Sequence, residues 1–249
     1  MKKILTSIFF LFFITSVSNT NLYAQKSGFD DVRLFQSYFQ DARITGTPYV
    51  NGNFFFGDFD FVDFTRLNAR GGYTFTPEIE AEGSFGFVNA NPRFGNSESG
   101  VSDLFLTGRY LFDIEEISIA AGTFFTLPIG TESAGEENFN FGFYGAVRHV
   151  VSEKVALTGN LQFNIIEMGF DDDRELSVGV GLGSIVNVAE RVNVVGELLI
   201  ESETDYAAIS GGADYKLRDI GHIRGGLIVG IDDGAPDIGV TAGFLFPFN

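Results

Sequence analysis

The chain has 249 residues with no cysteine and no tryptophan, so no disulfide holds it together. Its formal charge of -17 argues against binding nucleic acid or an anionic lipid surface through charge. Beyond the first 25 residues no apolar run approaches the ~20 residues of a membrane-spanning helix, which leaves strands as the only means of crossing a bilayer.

Lys2 and Lys3, an apolar run over 4–17 and the small Ala24 after Leu22-Tyr23 predict an export signal over 1–25. Without it the chain carries 33 acidic and 14 basic residues (16 minus 2), a formal charge of -19. Residues 26–47 form a separate N-terminal periplasmic segment, read as a short helix or as disordered. Val32, Leu34, Phe35, Tyr38 and Phe39 fall at helical spacings. Such a helix can plug a barrel or lie at its periplasmic rim; otherwise the segment is a frayed end.

From residue 48 to 249 apolar residues alternate with small or polar ones in segment after segment. The predicted strands are 48–57, 65–75, 79–87, 103–112, 117–127, 139–151, 155–165, 176–184, 192–200, 207–217, 223–231 and 238–248. The last is the clearest. Ile238, Val240, Ala242, Phe244, Phe246 and Phe248 share one face, while Gly239, Thr241, Gly243, Leu245 and Pro247 share the other. A face so rich in Phe needs an apolar medium, either a second sheet or lipid.

The connections decide between the two. Those at 76–78, 113–116, 152–154, 185–191 and 218–222 are short. Those at 88–102, 128–138, 167–175, 201–206 and 232–237 are mostly longer and more acidic. Alternation of short and long connections, an even strand count and both ends on the short side describe a transmembrane barrel better than a sandwich. The expectation is an all-β, antiparallel up-and-down barrel of about 12 strands in the outer membrane. Outer-membrane lipid is then a partner, and the C-terminal strand implies the barrel-assembly machinery as another.

Ser102-Asp103-Leu104-Phe105-Leu106-Thr107-Gly108-Arg109-Tyr110, followed by Leu127-Pro128-Ile129-Gly130-Thr131-Glu132, resembles the "GDL..G.KYR" strand and "LPTG" loop of one outer-membrane family. These are the transporter-like proteins of the MetA pathway of phenol degradation. The Gly196-Glu197 pair is similar to the family's later "L.GE" strand. The chain departs from the pattern at Ser102, Arg109 and Ile129, where glycine, lysine and threonine are usual. The resemblance implies a barrel and passage of small or hydrophobic molecules; it ties no residue to a substrate.

Parity turns Arg66, Arg70, Glu80, Glu82, Asp103, Arg109, Arg148, Glu197, Asp214, Lys216 and Arg224 toward the lumen. A mid-strand Arg or Lys facing lipid costs about 2–4 kcal/mol, so inward placement follows. Arg66 and Arg70 on the preceding strand are the expected partners of Glu80 and Glu82. Such charges either pair and fill the lumen or line a channel, since twelve strands lie between filled and open barrels. Phe105, Phe124, Tyr144 and Leu199 point the same way and bear on whether a hole remains. The functional expectation is a transporter or diffusion channel for small molecules, hydrophobic ones included. The alternative is a closed barrel that acts structurally or binds through its acidic loops.

No catalytic set is expected. His149 reads as a rim residue and His222 as part of a short turn, and neither has a convergent nucleophile and orienting group. No cofactor or metal is expected either. Asp171-Asp172-Asp173 and the loop 232–237 carry oxygen ligands but lack EF-hand spacing, so they read as solvated loops.

Overall fold

A computed structural model describes residues 32–114, 117–135, 138–167, 174–218 and 220–248. The predicted signal over 1–25 and the run Asp171-Asp172-Asp173 lie outside the described residues. No described helix is long and apolar enough to cross a membrane. The strands are β1 (Tyr49–Phe59), β2 (Val62–Thr76), β3 (Ile79–Pro92), β4 (Glu98–Val101), β5 (Leu104–Ile114), β6 (Ile117–Leu127) and β7 (Phe141–Ser152). Then follow β8 (Val155–Glu167), β9 (Arg174–Ala189), β10 (Val192–Glu201), β11 (Tyr206–Leu217), β12 (Gly221–Gly230) and β13 (Ile238–Pro247).

Every pairing is antiparallel, and all join chain neighbours except β3 with β5 and β1 with β13, where Tyr49 lies opposite Pro247. The sheet therefore closes on itself and leaves no long free edge. β4 and β5 share one place in the ring. β3 pairs with β4 from Phe87 to Ala90 and with β5 from Ile79 to Ser84, and Ser102-Asp103 breaks the strand between them. Ser102 bridges the break: its N–H donates to the Gly86 carbonyl at 2.7 Å, and its hydroxyl accepts from the Gly86 N–H at 2.9 Å. Counted by place, the barrel has the expected twelve strands.

Alternation along each strand sorts the side chains. On β13, Ile238, Val240 and Phe244 are exposed outward, while Thr241 and Leu245 are buried inward. The same parity exposes Leu67, Tyr73, Phe75, Phe85, Phe87, Tyr110, Phe112, Phe143, Leu227 and Val229 around the outside. A continuous apolar belt on a closed barrel has lipid as its medium. Both described ends of the barrel, Tyr49 and Pro247, lie where two or three residues join β2 to β3, β5 to β6, β7 to β8, β9 to β10 and β11 to β12. The opposite end carries the longer connections, apart from the two-residue turn from β1 to β2.

Residues 32–47 depart from the expectation of a helix or a disordered periplasmic segment. They run through a series of bends with no helix, and Val32, Arg33, Leu34, Ser37, Tyr38, Asp41 and Ala42 are buried. The segment lies inside the barrel. Val32 and Leu34 pack with Ala156, Ile185 and Val195; Ala42 packs with Leu111, Ala120, Phe124 and Tyr144. The N–H groups of Phe35, Gln36, Ser37 and Thr45 are used by the barrel wall, which satisfies them without a helix.

Candidate functional site

The lumen at the short-turn end is a set of charged side chains closed around this inner segment. Eight of the eleven residues predicted to face inward are buried, Glu80, Glu82, Arg109, Arg148, Glu197, Asp214 and Arg224 in the lumen and Asp103 at the long-connection end. Arg66, Arg70 and Lys216 are half-buried on the same face. Register explains how they meet, and most of them hold the segment rather than one another.

Glu197, midway along β10, accepts three successive backbone N–H groups, from Phe35 at 3.1 Å, Gln36 at 2.8 Å and Ser37 at 2.7 Å. A carboxylate cradled by consecutive amides is a strong, charge-assisted arrangement. Arg224 donates to the carbonyls of Arg33 (2.6 Å) and Leu34 (3.0 Å). Arg148 donates to the Val32 carbonyl at 2.9 Å and pairs with Asp41. Arg109 reaches the Phe39 carbonyl at 3.0 Å, and Glu80 accepts the Thr45 N–H at 2.8 Å. Five strands of the barrel, β3, β5, β7, β10 and β12, thus grip one short peptide by its backbone.

The partners of Glu80 and Glu82 differ from those expected. Arg109 on β5 sits directly across from Glu80 and pairs with both carboxylates, and Arg33 of the inner segment lies 3.5 Å from Glu80. On the other side, a register shift after Thr74 places Thr74 opposite Glu80 and Gly72 opposite Glu82, while Arg70 faces Ser84. Arg70 instead stacks on the rings of Tyr38 and Phe39, at 4.3 and 4.6 Å to their centres, and Arg224 lies 4.4 Å over Phe35. Burial pushes the Tyr38 phenol above its ordinary range, so it remains neutral. Arg66 sits opposite Phe55 and Val88, and Lys216 opposite His222.

His222 is not a turn residue: it belongs to β12, is buried, and lies 2.6 Å by Nδ1 from Asp214 Oδ1. His149 sits on β7 between Ile117 and Leu157 of its neighbours, remote from that pair in register. Among the described residues no three His, Cys, Asp or Glu groups converge as a metal site. Phe124, Tyr144 and Leu199 are buried, and Phe105 stacks between Phe124 (5.4 Å) and Phe39 of the inner segment (4.6 Å).

The two stretches of the sequence motif meet in space. Asp103, at the break between β4 and β5, accepts the Gly130 N–H at 2.8 Å, and Thr131 exchanges hydrogen bonds with the Val101 backbone. The motif is a latch that ties the loop after β6 to the strand break, and sequence spacing alone carried no sign of that contact.

A closed even-stranded barrel with an apolar belt and short turns at the end where its first strand begins and its last strand finishes is an outer-membrane β-barrel. More narrowly, the chain belongs to the family described as the MetA pathway of phenol degradation, whose model matches residues 30–248. An outer-membrane channel from Pseudomonas putida F1 shares the fold at a TM-score of 0.64 and 16% identity, over 84% of this chain and 98% of that one. The KdgM porin follows at 0.58 and 10%, over 81% and 99%, and the monoaromatic hydrocarbon channel CymD at 0.51 and 7%, over 84% and 90%. No curated protein matches the chain in sequence.

Proposed function

We propose that the protein is a passive outer-membrane channel for small molecules, hydrophobic ones included, with its bore set by residues 32–47. The observation that carries this reading is the lumen itself, a polar interior in a barrel whose outer face is apolar. Similar solved barrels are channels and porins, one of them for monoaromatic hydrocarbons, which supports small and apolar solutes as the cargo. Six of the eleven charged residues, Arg70, Glu80, Arg109, Arg148, Glu197 and Arg224, then act chiefly as anchors of the inner segment, and the exposure left on the lumen face shapes ion preference. Residues 1–25 serve as the export signal, and the C-terminal strand, apolar on its outer face up to Phe248, is the element presented to the barrel-assembly machinery.

The test is swelling of proteoliposomes in a series of neutral solutes of increasing size. The channel reading expects swelling that falls with solute size and stops at a definite cut-off. A second reading, a closed barrel that works through its acidic outer loops, is favoured by the close grip of the wall on residues 32–47. It expects no swelling above empty liposomes for any solute.

A further inference from the structure

On one side of the lumen the gripping charges stop at Arg148 of β7 and Glu197 of β10. Between them, and continuing toward the long-connection end, the lumen face of β8 carries Thr158, Asn160, Gln162 and Asn164 in succession. Across from the first three, β9 has Gly183, Gly181 and Gly179; across from Asn164 it has Ser177. The glycines matter because the amides lie flat on them: a Cβ on Gly181 would come 2.4 Å from Asn160 Nδ2, and one on Gly179 2.4 Å from Gln162 Nε2. Gly183 leaves room in the same way for Leu34 of the inner segment.

Gln162 donates to Glu201. Its neighbours have no such outlet. Both amide atoms of Asn160, Thr158 Oγ1, Asn164 Oδ1 and Ser177 Oγ are buried without a hydrogen-bond partner from the protein. Asn160 is 6% exposed and Ser177 0%. Five unpaired polar atoms within four side chains are costly unless something from outside the chain satisfies them. Asn160 alone offers two donors and an acceptor.

The chemistry around the ladder selects the ligand's class. An ion held there would need an opposing charge, and the charges around the ladder are engaged: Arg148 by Asp41 and the Val32 carbonyl, Glu197 by the amides of 35–37, and Glu201 by Gln162. Stripping water from an unpaired ion is expensive, whereas a hydroxyl exchanges water for an amide at little cost. We propose that this ladder is a binding site for uncharged, hydroxyl-bearing solutes, held by Asn160 with Thr158, Asn164 and Ser177. The proposal rests on the channel reading, because solutes reach the ladder through the lumen.

The probe is erythritol, a small neutral polyol, with succinate and tetramethylammonium as charged counterparts. Saturation-transfer NMR on the refolded protein in an amine-oxide detergent, which has no hydroxyls to compete, reports binding directly. Erythritol is expected to receive saturation from the wild type and roughly fivefold less from Asn160→Leu, the loss of about one hydrogen bond. The two ions are expected to receive none. Should Asn160→Leu not fold, Asn164→Leu, at the less buried end of the ladder, makes the same test. Equal signals from wild type and variant, no erythritol signal from folded wild type, or equal transfer to the ions would each overturn the site. Bilayer conductance on the same preparation separates the two readings: erythritol binding in silent bilayers keeps the site and removes the channel, and conductance without binding does the reverse.

Discussion

Arg109 shows how much a single lumen residue does in this molecule, since Glu80, Glu82 and the Phe39 carbonyl all converge on it. Arg109→Ala leaves buried Glu82 without its cation and Glu80 with Arg33 at 3.5 Å, and we expect a loss of about 3–5 kcal/mol in urea unfolding of the detergent-solubilised barrel. Replacing all three together, Arg109→Met with Glu80→Gln and Glu82→Gln, is expected to recover part of that loss, because no carboxylate is then left without a cation, although Arg33 gives up its ion pair with Glu80. A triple variant less stable than Arg109→Ala would refute this. At Asp103 the expected effect is smaller. Asp103→Ala frees the Gly130 N–H and loosens the loop after β6, with a loss of about 1–3 kcal/mol read in the same assay. Parity made the inward direction of these residues legible in the sequence. Their partners were not, since the pairing of β2 with β3 sets Arg70 opposite Ser84 and Arg66 opposite Val88, so neither arginine lies across from a glutamate.

The strands were the most legible elements and the inner segment the least. Period-two alternation survives in β13 because one face meets lipid and the other the lumen, and no third environment disturbs it. Longer strands such as β9 outrun their apolar pattern, since hairpin pairing continues through Asn187 and Ala189. Residues 32–47 carry helical spacings of apolar residues for a different reason. Val32 and Leu34 turn to one apolar cluster, Tyr38 and Phe39 to another and Ala42 to a third, and bends achieve this without a helix. What fixes the backbone is Glu197, a residue 160 positions away, which no local pattern reveals. Glu197→Ala is therefore expected to cut the hydrogen-exchange protection of the Phe35, Gln36 and Ser37 amides by tenfold or more, with the barrel strands unchanged. Unaltered protection at those three amides would show that packing alone holds the segment.

The whole molecule is two concentric solutions to one constraint. The outside answers lipid with an unbroken apolar belt, and the inside answers the remaining polar groups with charges paired across the lumen or to the inner segment. The twelve-place ring, the even count and the short-turn end follow from patterns visible along the chain. The filling of the lumen does not, because it depends on a segment that belongs to no strand. That segment makes bore size a property of a few hydrogen bonds, those of Glu197 and Arg148 above all. The most direct measurement is single-channel conductance of the folded protein beside a Glu197→Ala, Arg148→Ala double variant. Small steady openings in the wild type and clearly larger ones in the variant are the predicted result. Silence from both, in protein shown to be folded and inserted, would contradict the account and leave a closed barrel.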